Sequence, residues 1–129
     1  MYRIFMIEDD RGILDAVKER CTKWELEVFG VENYRNILTE FVECQPHLVI
    51  MDIGLPAFDG YHWCREIRRI SNVPILFLSS ASDNMNQIMA MNMGGDEFIA
   101  KPFDYDVLIA KIQALLRRAY DFAGHMPVL

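Results

Sequence analysis

The sequence predicts an α/β domain, a parallel sheet covered by helices on both faces, and three observations carry that prediction. Short apolar runs alternate with segments of helical spacing along the chain. The runs Leu48–Met51 and Ile75–Leu78 are apolar on both faces, as strands buried between two helical layers must be. Acids, serines and a lysine follow directly on the ends of the runs. A length of 129 residues suits one such domain.

Tyr2–Ile7 is an apolar run bounded by acids, and Glu25–Gly30 alternates Leu26 and Val28 with charged neighbours, so both read as strands. Between them Ile13, Leu14, Val17 and Cys21 recur at helical spacing behind Asp10, a suitable N-cap, which predicts a helix over 11–23. The next helix covers 35–44, with Ile37, Leu38, Phe41 and Val42 as its apolar stripe and Pro46 ending it. Leu48–Met51 is the third strand. A loop containing Gly54, Pro56 and Gly60 leads into a helix over 61–69, and Pro74 introduces the fourth strand, Ile75–Leu78. Met85, Ile88, Met89 and Met91 belong to a helix over 84–93 that stops at Gly94-Gly95. Phe98-Ile99 is a brief fifth strand. Asp104 caps a last helix whose stripe is Val107, Leu108, Ile112, Leu115 and Leu116, reaching Tyr120. Gly124 to Pro127 show no periodicity.

Composition narrows the function classes. The chain is 52% hydrophobic and 25% charged, with no apolar run approaching membrane-spanning length. The N-terminus has no apolar leader with a cleavage site, so a cytoplasmic location is expected. Cys21, Cys44 and Cys64 are odd in number and widely spaced, which argues against disulfides and zinc. A net charge of −6 disfavours nucleic-acid binding by this domain itself. His47, His62 and His125 share no ligand spacing, and Trp24 and Trp63 read as core or edge aromatics.

In sheets of this kind the site forms beyond the carboxyl ends of the strands, where strand order reverses. Glu8, Asp9 and Asp10 follow the first strand, Asp52 the third, Ser79 and Ser80 the fourth, and Lys101 the fifth. Converging carboxylates repel and are offset by a cation. Oxygen donors at this density suit Mg²⁺ or Mn²⁺. A carboxylate can then attack phosphorus to form an acyl phosphate. In that chemistry Asp52 is the nucleophile, Asp9 a direct metal ligand, Glu8 a ligand through water, Lys101 the fixed cation and Ser79 a donor to a phosphoryl oxygen. Asp10 is read as a helix N-terminal charge only. Each signal alone has an ordinary structural reading; their joint placement at four strand ends points to chemistry.

These residues resemble the receiver domain of two-component response regulators. Met6-Ile7-Glu8-Asp9-Asp10, Val49 to Pro56, Asp59-Gly60, Leu78-Ser79-Ser80, Gly94 to Phe98 and Lys101-Pro102-Phe103 occur in that family's order and spacing. The resemblance covers residues 2–120 and implies a flavodoxin-like doubly wound (βα)5 fold with strand order 2-1-3-4-5. It also implies phosphorylation of Asp52 by a sensor histidine kinase, with Mg²⁺ held by Glu8, Asp9, Asp52 and the carbonyl of Gly54. Ser79 and Phe98 are the implied switch pair, and the protein is expected to be no enzyme. Phe58 to Arg65, Ser71 to Pro74 and Arg117 to Phe122 are similar to the OmpR-like, winged-helix branch that responds to bacitracin and related peptides. Residues 1–120 are therefore expected to form the receiver and 121–129 the start of a linker to a DNA-binding domain outside this chain. DNA contact is expected only through that domain.

The resemblance to OmpR-like receivers implies a homodimer through charged pairs on the face of the fourth helix, fifth strand and fifth helix. Here Glu97 and Arg118 match one of its charged pairs, whereas Met93 and Val107 stand where charges are usual. Gly95 replaces the family's alanine, which predicts a looser end to the fourth helix. A stand-alone receiver acting by protein contact is the alternative. A phosphatase using the same aspartate is disfavoured, because Gly54 occupies the place of its second acid.

Overall fold

A computed structural model describes residues 1–55, 59–80 and 84–121. Pro56, Phe58, the side chain of Met85 and the tail from Phe122 lie outside the described residues. The element order is β1 (Tyr2–Ile7), α1 (Arg11–Thr22), β2 (Leu26–Gly30), α2 (Ile37–Cys44), β3 (Leu48–Asp52), α3 (Gly60–Arg68), β4 (Ile75–Ser79), α4 (Asn84–Asn92), β5 (Glu97–Ala100) and α5 (Tyr105–Leu116). A π-helical turn over Arg117–Asp121 replaces the last α-helical turn expected to reach Tyr120. The strands form one parallel sheet in the order β2-β1-β3-β4-β5. This is the flavodoxin-like order.

Alternation along the strands divides the core in two. Ile4, Met6, Ile50, Leu76 and Leu78 face one way, toward Leu14 and Val17 of α1 and Leu108 and Ile112 of α5. Phe5, Ile7, Val49, Met51, Ile75 and Phe77 face the other, toward Ile37 and Phe41 of α2, Cys64 and Ile67 of α3 and Ala90 of α4. Both faces being covered is the reason β3 and β4 are buried at every position.

Helix starts follow the caps. The Asp10 carboxylate accepts from the Ile13 N–H at 3.2 Å, Asp59 from His62 at 3.0 Å and Asp104 from Asp106 at 2.7 Å. Helix α2 ends at Gln45, which takes a left-handed conformation with φ 47 before Pro46.

Two apolar residues expected on buried helix stripes, Val42 and Val107, are exposed instead. Val42 is 57% exposed. Helix α2 lies near the sheet edge and meets it through Ile37 and Phe41, whose ring stands 6.2 Å from that of Phe5. Val107 is 48% exposed, because Leu108, Ile109 and Ile112 take the buried face of α5. Trp24 is 55% exposed in the turn between α1 and β2, which leaves the edge rather than the core of its two expected places.

Gly95 also has a specific reason. A Cβ there would lie 2.6 Å from the Phe77 ring and 2.8 Å from the Ala90 carbonyl oxygen. The missing methyl makes room for Phe77 to fill the space under α4, so the glycine tightens this corner instead of loosening it.

Candidate functional site

The order β2-β1-β3 places the reversal of strand order between β1 and β3, and a crevice forms there beyond their carboxyl ends. Ile7 pairs with Met51 in register, so the next residues, Glu8 and Asp52, emerge side by side. Glu8 is 1% exposed and Asp52 5%, while Asp9 turns to solvent. Ligand oxygens of Glu8, Asp9 and Asp52 lie within 4.8 Å of one another. Among the described residues this is the one such cluster of potential metal ligands.

Each of the two buried carboxylates accepts an N–H from the loop that follows its own strand, and both share the ammonium that follows β5. Glu8 accepts the Asp10 N–H on Oε2 at 3.1 Å, and its Oε1 lies 2.6 Å from Lys101 Nζ. Asp52 accepts the Gly54 N–H on Oδ1 at 3.1 Å, and its Oδ2 lies 3.4 Å from the same Nζ. Lys101 itself is held by its N–H, which donates to the Ser79 carbonyl at 2.7 Å. Ser79 is buried as the last residue of β4 and pairs with Ala100 of β5. The expected residues at the ends of four strands thus meet at one place. Phe98 lies apart from it, half-buried against the α2–α4 side of the core and in register with Phe77.

Burial pushes the Glu8 carboxyl up to about 7, with the Asp52 charge adding to it and the Lys101 and Asp10 bonds opposing it. Burial works against the Lys101 charge, but the bond to Glu8 and the charges of Asp52 and Glu8 prevail, so its pKa lies above the ordinary lysine value. The site therefore keeps an ammonium between carboxylates that repel one another.

The donor set suits a hard divalent cation. It offers carboxylate oxygens only, close enough to share one ion, with one of its acids open to water. With an ammonium beside a buried carboxylate at its centre, the arrangement can hold an anionic group and neutralise charge developing on its oxygens.

Tyr34 was not among the sequence candidates. It follows the carboxyl end of β2, half-buried, and packs on the core face that includes Ile7 and Met51. The signal available was its position: the end of β2 lies on the same rim of the sheet as the other four strand ends.

Comparison with known proteins is consistent across sequence and structure. A family model described as "Response regulator receiver domain" matches residues 4–113. The chain is 50% identical over 129 residues to the sensory transduction protein BceR of Halalkalibacterium halodurans, covering 100% of this chain and 56% of that protein. It is 43% identical to the response regulator protein GraR of Staphylococcus haemolyticus, covering 95% of this chain and 54% of that protein. The chain spans about half the length of these curated relatives. The N-terminal domain of the nisin resistance regulator NsrR superposes with a TM-score of 0.85 at 43% identity, covering 91% of this chain and 99% of that one.

Proposed function

The chain belongs to the response regulator receiver domain family, and on that premise we propose that Asp52 accepts a phosphoryl group from the phosphohistidine of a sensor histidine kinase. An Asp52 carboxylate oxygen attacks phosphorus, the phosphorus–nitrogen bond breaks, and the electron pair leaves with the imidazole, which takes up a proton. The observation that carries this reading is the Lys101 ammonium, in contact with both Asp52 and Glu8 at the β1/β3 crevice. Lys101 neutralises phosphoryl oxygens, and the Gly54 N–H orients the nucleophile through Oδ1. Mg²⁺ or Mn²⁺, when bound, would be held by Glu8, Asp9, Asp52 and the Gly54 carbonyl and supplies further charge neutralisation.

The output follows from the same chemistry. The Ser79 hydroxyl bonds a phosphoryl oxygen, and Phe98 moves inward as β5 is drawn with Lys101 and Ser79. The remodelled face, α4, β5 and α5, is the homodimer surface. Exposed Ile88, Met91 and Val107 support an apolar contact there, while Glu97 is already paired with Lys111 within the chain at 3.3 Å. Residues 1–120 act as the receiver, and 121–129 begin the linker to a winged-helix domain that carries all DNA contact and controls transcription. Likeness to a nisin resistance regulator supports a stimulus among envelope-active peptides. No helix among the described residues is long and apolar enough to cross a membrane.

The test is acetyl phosphate with Mg²⁺ and intact-mass detection. One alkali-labile phosphoryl adduct is expected on the wild type and none on Asp52→Ala. An adduct persisting in that variant overturns the assignment.

A further inference from the structure

The chain carries eight methionines and three cysteines, and the fold sorts their sulfurs by access. Met6 and Met51 are fully buried in the sheet, and Cys21 and Cys64 lie within the two cores. Cys44 is half-buried. Burial pushes all three thiols up, Cys21 to about 11, which disfavours the thiolate that oxidants attack. Among the described residues the exposed sulfur-bearing ones are Met1, and Met89 and Met91 on α4.

The seating of α4 explains that exposure. The helix meets the sheet through Ala90, buried in the core face that contains Phe77, and the Ala90 carbonyl accepts the Gly95 N–H at 3.0 Å. Helical spacing then turns both neighbours of Ala90 outward. Met89 and Met91, each 44% exposed, flank Ile88 at 53% on the outer face of the helix. The nine residues of α4 include no charged side chain, so the apolar character of this face depends on Ile88 and the two thioethers.

We propose that Met89 and Met91 are sites of reversible oxidation by hydrogen peroxide, and that their sulfoxides disable the α4 surface for pairing with a second copy of the chain. A sulfur lone pair attacks one peroxide oxygen, and the S–O bond forms as the O–O bond breaks. The leaving hydroxide takes the proton of the transferred hydroxyl and departs as water; sulfur loses two electrons and the peroxide gains them. The sulfoxide oxygen accepts hydrogen bonds, which water supplies on the free protomer and which are lost when a second copy covers it. Oxidation therefore costs the monomer little and the dimer more, without touching the carboxylate site. The inference rests on the reading of α4, β5 and α5 as the homodimer face and adds a redox input to it.

The experiment treats the unphosphorylated chain with hydrogen peroxide and locates the added oxygens by peptide mass spectrometry. Assembly is then measured by light scattering over a range of protein concentrations with acetyl phosphate and Mg²⁺. The wild type and the Met89→Leu/Met91→Leu variant are each compared with themselves before and after treatment. In the wild type, oxygen is expected on both methionines and the phosphoryl adduct should still form. The dimer dissociation constant should rise about tenfold, and methionine sulfoxide reductases A and B should restore it. The variant keeps every other sulfur, so the treatment should leave its dissociation constant where it began. Unaltered assembly of wild type carrying both sulfoxides, oxygen absent from both positions, a loss the reductases do not reverse, or an equal loss in the variant overturns the inference and leaves the dimer face standing. No phosphate-dependent assembly of the untreated wild type overturns both.

Discussion

The Nζ of Lys101 lies 2.6 Å from Oε1 of Glu8 and 3.4 Å from Oδ2 of Asp52, so the ammonium is bound more closely to Glu8 than to the proposed phosphoacceptor. Before a cation or phosphoryl group arrives, Lys101 holds the buried Glu8 charge in balance. If Asp52 is phosphorylated as proposed, the second partner of Lys101 would be the new anion, which would couple the end of β5 to the event at β3.

Lys101→Ala should therefore destabilise the cation-free protein. Breaking a buried pair costs ~3–5 kcal/mol when the remaining charge has no other outlet. Glu8, with its pKa already near 7, can take up a proton instead, which brings the expected loss to about 2 kcal/mol. Urea unfolding at neutral pH measures it. The same variant should separate phosphorylation from dimerisation, and normal phosphate-dependent assembly in light scattering would reject that coupling.

Asp9 adds negative charge to the cluster, and among the described residues it has no ion pair like those Lys101 makes with Glu8 and Asp52. Asp9→Asn should raise the melting temperature without cation slightly, by less than about 1 kcal/mol in stability because the side chain is exposed. It should also abolish the rise that millimolar Mg²⁺ produces in the wild type through preferential binding to the folded state. Paired thermal melts with and without Mg²⁺ decide both points.

His47 offers a test by pH. The Arg3 N–H donates to its Nδ1 at 2.9 Å, so the folded protein needs a neutral ring. Burial, followed by the charges of Arg3 and the N-terminus, lowers its pKa below 6.5. The unfolded chain then binds the proton more readily, and His47's contribution, fully present above 6.5, is lost as pH falls toward the lower folded value. Glu8 has the opposite sense: its raised pKa favours the folded state at lower pH, and this advantage is lost as pH rises from 4.5 to about 7. Urea midpoints of the wild type and His47→Gln, compared between pH 7.5 and 5.5, remove the Glu8 contribution common to both. The wild type should lose more stability on acidification; parallel curves would contradict this.

Gly95→Ala should be destabilising although alanine stands at this position in the family. The added methyl would meet Phe77 at 2.6 Å, and overpacking of this kind costs ~1–3 kcal/mol. Phe77→Leu should absorb part of that cost, so the double variant is expected to be more stable than the sum of the single changes predicts. Additive losses in denaturant unfolding would show that the ring is not the obstacle.

Local pattern determined the alternation of strands and helices, because two-sided apolar runs, capped starts and 3.6-residue spacing act within a few residues of one another. It also determined which residues stand at the strand ends, and so the candidates Glu8, Asp9, Asp52, Ser79 and Lys101. Position along the chain carried no information about which carboxylate Lys101 touches most closely, about Tyr34 on the rim, or about Phe77 occupying the space above Gly95. The same limit applies to Val42 and Val107, whose apolar character did not reveal that helix placement leaves them in water. These depend on strand order, register and the seating of each helix on the sheet. Such long-range packing brings together residues far apart in sequence, and only the assembled β2-β1-β3-β4-β5 sheet decides it.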